Sequence, residues 1–338
     1  MKLAGIYKQF SDKIDADKNA QIHAFGNKLR QDLLPGVSDI IPSYCNIYIE
    51  YDSQKLSKQH VEFWLANNLE NLDSNTVTRT VKIPVDYSGE DLEYISQETA
   101  LTKKEIIKKH SEKIYQVYAM GFMPGFAFMA EVEPSLRLPR RGVPRLVPAG
   151  SVAMANAQTS VYPFASPGGW HILGQALVAL YDPNRAEPFL LQAGDKVEFV
   201  AAAPQTLAEV KTLELLEPTR TASFRVLATG LLDLLLDQGR FLSGHLGLSR
   251  TGALDAKLAN LANSLLGNSK NAVILEINLL GPKLEVINEV LIVFVGYALQ
   301  LKINNIVQEA FKTILLKAGD IISFSPLFKA GPSYLAVQ

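Results

Sequence analysis

A change of texture near Tyr115 constrains this chain more than any other feature. Upstream of it, apolar residues recur at strand spacing and at helix spacing in turn. Downstream, helical periodicity disappears, glycine and proline become frequent, and short β-type runs alternate with turns as far as about Phe199. Mixed elements followed by many short strands read as an α+β chain, with a small α/β layer ahead of a compact barrel or sandwich. With 338 residues and 48% hydrophobic content, there is material for more than one core.

The upstream part resolves into elements. Leu3 to Tyr7 is a short apolar strand, and Ile22, Phe25, Leu29 and Leu33 mark a helix that Pro35-Gly36 stops. Strands at 38–41 and 46–51 flank a Pro42-Ser43 turn, with Ile47, Ile49 and Tyr51 on one face. Val61, Leu65 and Leu69 mark a second helix, and Val77, Val81, Ile83 and Val85 a last strand. The order βαββαβ predicts a ferredoxin-like unit. Two short helices follow within 88–110, the second opened by a Thr102–Glu105 capping box.

Beyond the barrel-like stretch, 201–223 reads as a connector holding Pro204 and Pro218. A helix follows over 256–266, with Leu258, Leu261, Ala262 and Leu265 on one face and Gly267-Asn268 as its stop. Strands are expected around 273–279, 284–287 and 291–295. An internal echo links the two halves: residues 190–199 and 315–324 each read as strand, Gly-Asp turn and strand, like a closing hairpin.

The 33 basic and 34 acidic residues nearly cancel, which argues against a general nucleic-acid or membrane surface. A single cysteine, Cys45, excludes an intrachain disulfide and a cysteine-rich metal site. The first 13 residues lack the apolar core of a secretory signal. The most apolar run, 290–301, is shorter than the about 20 residues a membrane span needs. A cytoplasmic, soluble protein is the expectation.

Three stretches carry the candidate chemistry. In Gly121-Phe122-Met123-Pro124-Gly125-Phe126-Ala127-Phe128, the phenylalanines around a Pro-Gly turn either line a pocket or are simply core. Arg140, Arg141 and Arg145, stiffened by prolines, suit either an anion site or a solvated basic loop. The third stretch runs from Val147-Pro148-Ala149-Gly150-Ser151 through Gln158-Thr159 to Ser166-Pro167-Gly168-Gly169-Trp170-His171. Its small residues let backbone amides approach a ligand, and His171 is either a proton carrier or a satisfied, half-buried imidazole.

Taken in this order, these stretches resemble the B-type component of the ATP-hydrolysing 5-oxoprolinases, known also as allophanate hydrolase subunit 1 and the Kip-type kinase inhibitors. The resemblance covers Gly121 to Gly174 most strongly. It implies a ferredoxin-like domain over residues 1–86 and a cyclophilin-like barrel over 87–203, related to the carboxyltransferase domain of urea carboxylase. Downstream of a linker at 204–222, Asp237-Gln238-Gly239-Arg240, His245-Leu246-Gly247, Thr251-Gly252-Ala253-Leu254-Asp255 and Leu275-Glu276-Ile277 resemble the opening of the C-type component. Residues 223–338 are therefore expected to form a second, partial cyclophilin-like β domain. There Arg240, His245, Asp255 and Glu276 are a candidate polar site, unless Asp237 and Asp255 merely cap turns or the helix.

The family couples ATP hydrolysis, with Mg2+ as the nucleotide's counter-ion, to opening 5-oxoproline to glutamate beside a separate A-type component. The resemblance implies catalytic roles for His171, Arg140, Arg145 and Gln158, and substrate contacts from Phe122, Pro124, Gly125, Phe126, Ser166, Gly168, Gly169 and Trp170. No P-loop is present to hold the nucleotide. The implied partners are an A-type 5-oxoprolinase component and the rest of the C-type one. Rival readings are an allophanate- or urea-type hydrolase or carboxyltransferase component, and a non-enzymatic inhibitor of a sensor histidine kinase. Asp233-Leu234-Leu235-Leu236 replaces a more polar stretch usual in the family, and Gly174-Gln175-Ala176 a usual G-R-T.

Overall fold

In the computed structural model, the described residues are 2–70, 79–205, 210, 222–327 and 329–338. They fall in two compact units, Met1–Leu213 with Phe241–Ser249, and Glu214–Arg240 with Arg250–Gln338. The connector expected at 201–223 lies mostly outside the described residues, as does Val77.

The first unit opens with β1 (Leu3–Gln9), α1 (Ala16–Gln31), β2 (Val37–Pro42), β3 (Asn46–Asp52) and α2 (Lys58–Glu70). The strands pair antiparallel in the order β1-β3-β2, and the helices close one face over Ile22, Phe25, Leu29, Ile47, Ile49, Val61 and Leu65. That order is a ferredoxin-like sheet without its fourth strand. The missing strand, β4 (Thr80–Asp86), lies instead in the barrel, parallel to β12 (Lys196–Ala201). Its Ile83 and Val85 are fully buried in the barrel core, so the period-2 pattern was right and the sheet it joins was not.

Next come α3 (Leu92–Thr99), α4 (Lys103–Ser111), β5 (Ile114–Met120), β6 (Ala127–Ala130), β7 (Arg145–Val147), β8 (Ser151–Ala155), β9 (Gln158–Val161), β10 (Ser166–Gly168) and β11 (His171–Ala176). Seven strands close a barrel in the order β11-β4-β12-β5-β6-β9-β8, and β7 and β10 form a separate two-stranded ribbon. The capping box at α4 is present in both directions. Leu92, Ile95 and Ile106 from the two helices join the barrel's core. That core also holds a polar chain running from Tyr87 through His110 to Thr159. Tyr87 Oη donates to His110 Nδ1 (2.8 Å), His110 Nε2 to Thr159 Oγ1 (2.9 Å), and Thr159 in turn to the Ala153 carbonyl (3.1 Å). Every partner is satisfied, which is what a fully buried imidazole requires.

The second unit contains β13 (Phe224–Ala228), β14 (Leu232–Leu236), α5 (Ala256–Leu266), β15 (Ile274–Asn278), β16 (Lys283–Val286), β17 (Val290–Gly296), β18 (Leu299–Ile303), β19 (Ile306–Val307), β20 (Thr313–Leu316), β21 (Ile321–Pro326) and β22 (Ser333–Val337). Two five-stranded sheets, β13-β16-β21-β18-β19 and β14-β15-β22-β17-β20, enclose Ile277, Leu284, Ile292, Phe294, Leu301 and Leu335. Helix α5 covers the outer face of the second sheet through Ala259, Ala262 and Leu266. The expected helical face is thus rotated: Leu261 and Leu265 are exposed. Alanines at the contact let the helix lie close on β17 and β22, and larger side chains are turned outward.

The echo at 190–199 and 315–324 is a shared turn rather than a hairpin. Gly194 and Gly319 take φ of +93° and +89°. Asp195 accepts from the Gln192 amide and Asp320 from the Lys317 amide, both at 2.8 Å. Residues 190–191 are not in a strand, and β20 and β21 lie in different sheets. No helix among the described residues is long and apolar enough to cross a membrane.

Candidate functional site

The Pro-Gly element is a tight turn. The Phe126 amide donates to the Met123 carbonyl at 3.0 Å, Pro124 fixes the first central φ, and Gly125 sits at φ +81°, the arrangement of a type II turn. The turn splits the phenylalanines between two roles. Phe126 is buried, with its ring 5.2 Å from Phe122, 4.9 Å from Phe128, 5.3 Å from Tyr162 and 5.7 Å from Trp170. Phe122 stays 63% exposed at the rim. This aromatic layer lies on the barrel's outer face, over Ala153, Ala155 and Ile172, where the two alanines leave room for it. Gly168 belongs to the same layer: a Cβ there would lie 2.4 Å from the Tyr162 hydroxyl.

The three arginines differ in state. Arg141 and Arg145 both reach the carboxylate of Asp91, Arg145 at 2.5 Å, and Arg145 also reaches Glu90 at 2.8 Å. Asp91 accepts a third bond from the Ile172 amide (2.7 Å). The Arg141 guanidinium lies over the Tyr94 ring, 5.4 Å from its centre, a cation–π placement. Arg140, by contrast, is exposed and makes no hydrogen bond or ion pair among the described residues. It stands beside the glycine pair, its Nε 3.8 Å from the position a Cβ on Gly169 would take. Its charge also acts on the Tyr162 phenol.

His171 and Gln158 point to opposite faces of the barrel wall. His171 pairs with Met154, which faces the core, and Gln158 with Ala155, which faces out. His171 is 2% exposed and stacks on Tyr94 at 5.3 Å. Its Nε2 lies 2.8 Å from the Pro139 carbonyl; a carbonyl only accepts, so Nε2 carries the proton. Nδ1 is buried with no partner. Gln158 donates to the Tyr44 hydroxyl at 2.5 Å, and burial pushes that phenol up to about 12. Ser166 donates to the Pro167 carbonyl. The structure therefore gathers Phe122, Phe126, Tyr162, Gly168, Gly169, Trp170 and Arg140 in one neighbourhood, and seats His171, Arg141 and Arg145 around Asp91 and Tyr94. Pro124 and Gly125 shape the turn that carries the phenylalanines.

Asp91, Tyr94, Tyr44 and Tyr162 were not singled out from the sequence. Asp91 carries an N-cap signal just ahead of Leu92, yet its carboxylate makes no cap bond because it is spent on arginines 50 and 54 residues away. Nothing in local spacing announces that.

Of the downstream candidates, His245 belongs to the first unit, whereas Arg240, Asp255 and Glu276 belong to the second. Burial and the nearby Arg30 lower the His245 pKa to about 4. Asp255 caps α5 by accepting from the Lys257 and Leu258 amides. Glu276 is buried and accepts from the Leu254 amide and the Tyr334 hydroxyl, both at 2.8 Å. The Tyr334 hydroxyl also accepts from the Asp255 amide, so Asp255 and Glu276 share one satisfied network. Arg240 lies 3.2 Å from the Thr251 hydroxyl.

Comparison with known proteins agrees with this architecture. Residues 3–191 match the family described as carboxyltransferase domain, subdomain C and D, and residues 246–338 match carboxyltransferase domain, subdomain A and B. The 5-oxoprolinase B-type component of Bacillus subtilis is 35% identical over 210 residues, 57% of this chain and 87% of that protein. That of Escherichia coli O157:H7 is 39% identical over 176 residues, 49% of this chain and 79% of that protein. The crystal structure of TTHA0988 superposes with a TM-score of 0.92 at 41% identity, covering 99% of this chain and 68% of that one. The match over residues 3–191, more than half of the chain, makes this chain a member of the carboxyltransferase domain family.

Proposed function

We propose that this chain is the substrate-recognising component of an ATP-dependent 5-oxoprolinase, acting with an A-type partner. The observation that carries the reading is Arg140, an exposed guanidinium without a partner among the described residues, set beside the Gly168-Gly169 backbone and an aromatic layer with Phe122 at its rim. A five-membered lactam bearing one carboxylate matches that combination: the guanidinium takes the carboxylate and the aromatic edge takes the ring. Relatives named as B-type components of 5-oxoprolinase, matched over most of their length, support the same substrate.

The arrangement fits a single carboxylate better than a triphosphate. Two of the three arginines are already neutralised by Asp91 and Glu90, so this site is not assigned to ATP or Mg2+. In the overall reaction the lactam oxygen takes the γ-phosphoryl group and ADP leaves. Water then adds to the activated carbon, the ring C–N bond breaks with the nitrogen gaining a proton to leave an acyl phosphate, and a second water releases phosphate from it to give the free carboxylate. This chain's part is to hold the ring and its carboxylate in register. His171, buried and tied to Pro139, positions the 139–145 loop in this scheme.

The test is ATP-dependent conversion of 5-oxoproline to glutamate by the purified chain mixed with an A-type component and, where turnover requires it, a C-type one. Arg140→Gln is expected to raise KM at least roughly tenfold, the loss of one charge-assisted contact. Absence of turnover with every such partner, together with tight binding to a sensor histidine kinase, would sink the reading in favour of the inhibitor.

A further inference from the structure

The candidate site makes no use of a cluster of exposed apolar side chains in the second unit. Strand β13 ends one sheet and β14 ends the other, and among the described residues neither has a partner on its outer edge. The two are consecutive, so both sheets are open where the chain passes from one to the other. Leu231 is 66% exposed, Leu235 65% and Leu279 72%; Val226, Leu232 and Leu280 are each about half exposed or more.

The register explains why β14 cannot hide these side chains. Leu232, Leu234 and Leu236 stand opposite Asn278, Glu276 and Ile274, whereas Asp233 and Leu235 stand opposite Ile277 and Leu275. Leucines therefore project from both faces of an unpaired edge strand. Natural sheets blunt such edges with charge, proline or a covering element. Here the only charge in the strand is Asp233, and one oxygen of its carboxylate is folded back onto the Gly230 amide at 2.7 Å.

We propose that the β14 edge is a homodimer interface, in which β14 pairs antiparallel with β14 of a second copy. The strand is self-complementary: pairing centred on Leu234 sets Leu232 against Leu236 and Asp233 against Leu235, so no like charges face each other directly. The exposed apolar side chains of β13, β14 and the 279–280 corner offer on the order of 800 Å2 per copy, about the share each partner contributes to a standard stable interface. Burial of a patch that size and of one free strand edge is what a second copy supplies. This inference is independent of the substrate reading.

Sedimentation velocity on the full chain, over a roughly hundredfold concentration range, is expected to show a monomer–dimer equilibrium. Leu235→Lys and, separately, Leu231→Lys should weaken it at least about 30-fold, the loss of one interface hot spot. Both positions are exposed, and Leu231 lies in the turn ahead of β14, so at least one variant retains the fold by circular dichroism. Ile306→Lys, on the opposite edge strand β19, should leave the equilibrium unchanged. Hydrogen exchange should show β14 amides gaining protection as concentration rises. A wild-type chain that stays monomeric throughout overturns the proposal. So does a dimer that survives both lysine variants, or one that Ile306→Lys disrupts.

Discussion

Arg140 and Arg141 are neighbours in sequence and opposites in state. Arg141 is held by a buried carboxylate and an aromatic face, and Arg140 by nothing among the described residues. Sequence showed three arginines near prolines and left open whether they bind an anion or face water, because the residue that decides, Asp91, is 50 positions away. The contrast is testable. Arg140→Gln should leave urea-induced unfolding within about 0.5 kcal/mol of wild type, as for other exposed, unpaired positions, while impairing 5-oxoproline turnover. Asp91→Asn should cost about 2–4 kcal/mol, somewhat below a fully buried pair because water reaches both arginines. Equal destabilisation by the two substitutions would contradict the division of roles.

Helix α4 shows an element whose ends were legible and whose burial was not. Thr102 and Glu105 announce its start, but nothing in its charged sequence marks His110 as the polar centre of a barrel core. Strand β4 is the converse: its alternation was plain, and its sheet was set by pairing with β12 more than a hundred residues later. Local pattern fixes a strand's faces, and only long-range pairing fixes its neighbours. Burial holds the His110 pKa down at about 3, and burial again is the largest cause lowering His23 to about 4. In the unfolded chain each imidazole takes a proton near pH 6.5. Below that pH the unfolded state binds more protons than the folded one, so stability is complete above about 6.5 and falls as pH drops toward the folded values. Each group should remove on the order of 1 kcal/mol by pH 5.5. Thermal melting from pH 7.5 to 5 should record a falling Tm. His110→Gln should melt lower at pH 7.5 and lose less on acidification; an unchanged slope would show that His110 does not carry the effect.

At the scale of the molecule, the change of texture at Tyr115 marked where the barrel's run of short strands begins, because turn chemistry is local. The leucines of β14 were legible only as a departure from a polar stretch; that they stand on an open edge is a property of sheet order, which no single strand encodes. Charge adds the last constraint. With 33 basic and 34 acidic residues the formal charge is −1 at pH 7, so two copies meet with little mutual repulsion, and the strand that joins them contributes only Asp233. Association through β14 should therefore be driven by apolar burial and not by ion pairs. Raising NaCl from about 50 to 500 mM shortens the reach of exposed charges to a few ångströms, yet the dimer constant should change by less than about threefold, whereas sulfate should strengthen the dimer. Calorimetric dilution at several temperatures should give a negative heat-capacity change on association, the mark of apolar burial. A dimer that dissociates steeply as NaCl rises would place ion pairs, and hence a different surface, at the contact.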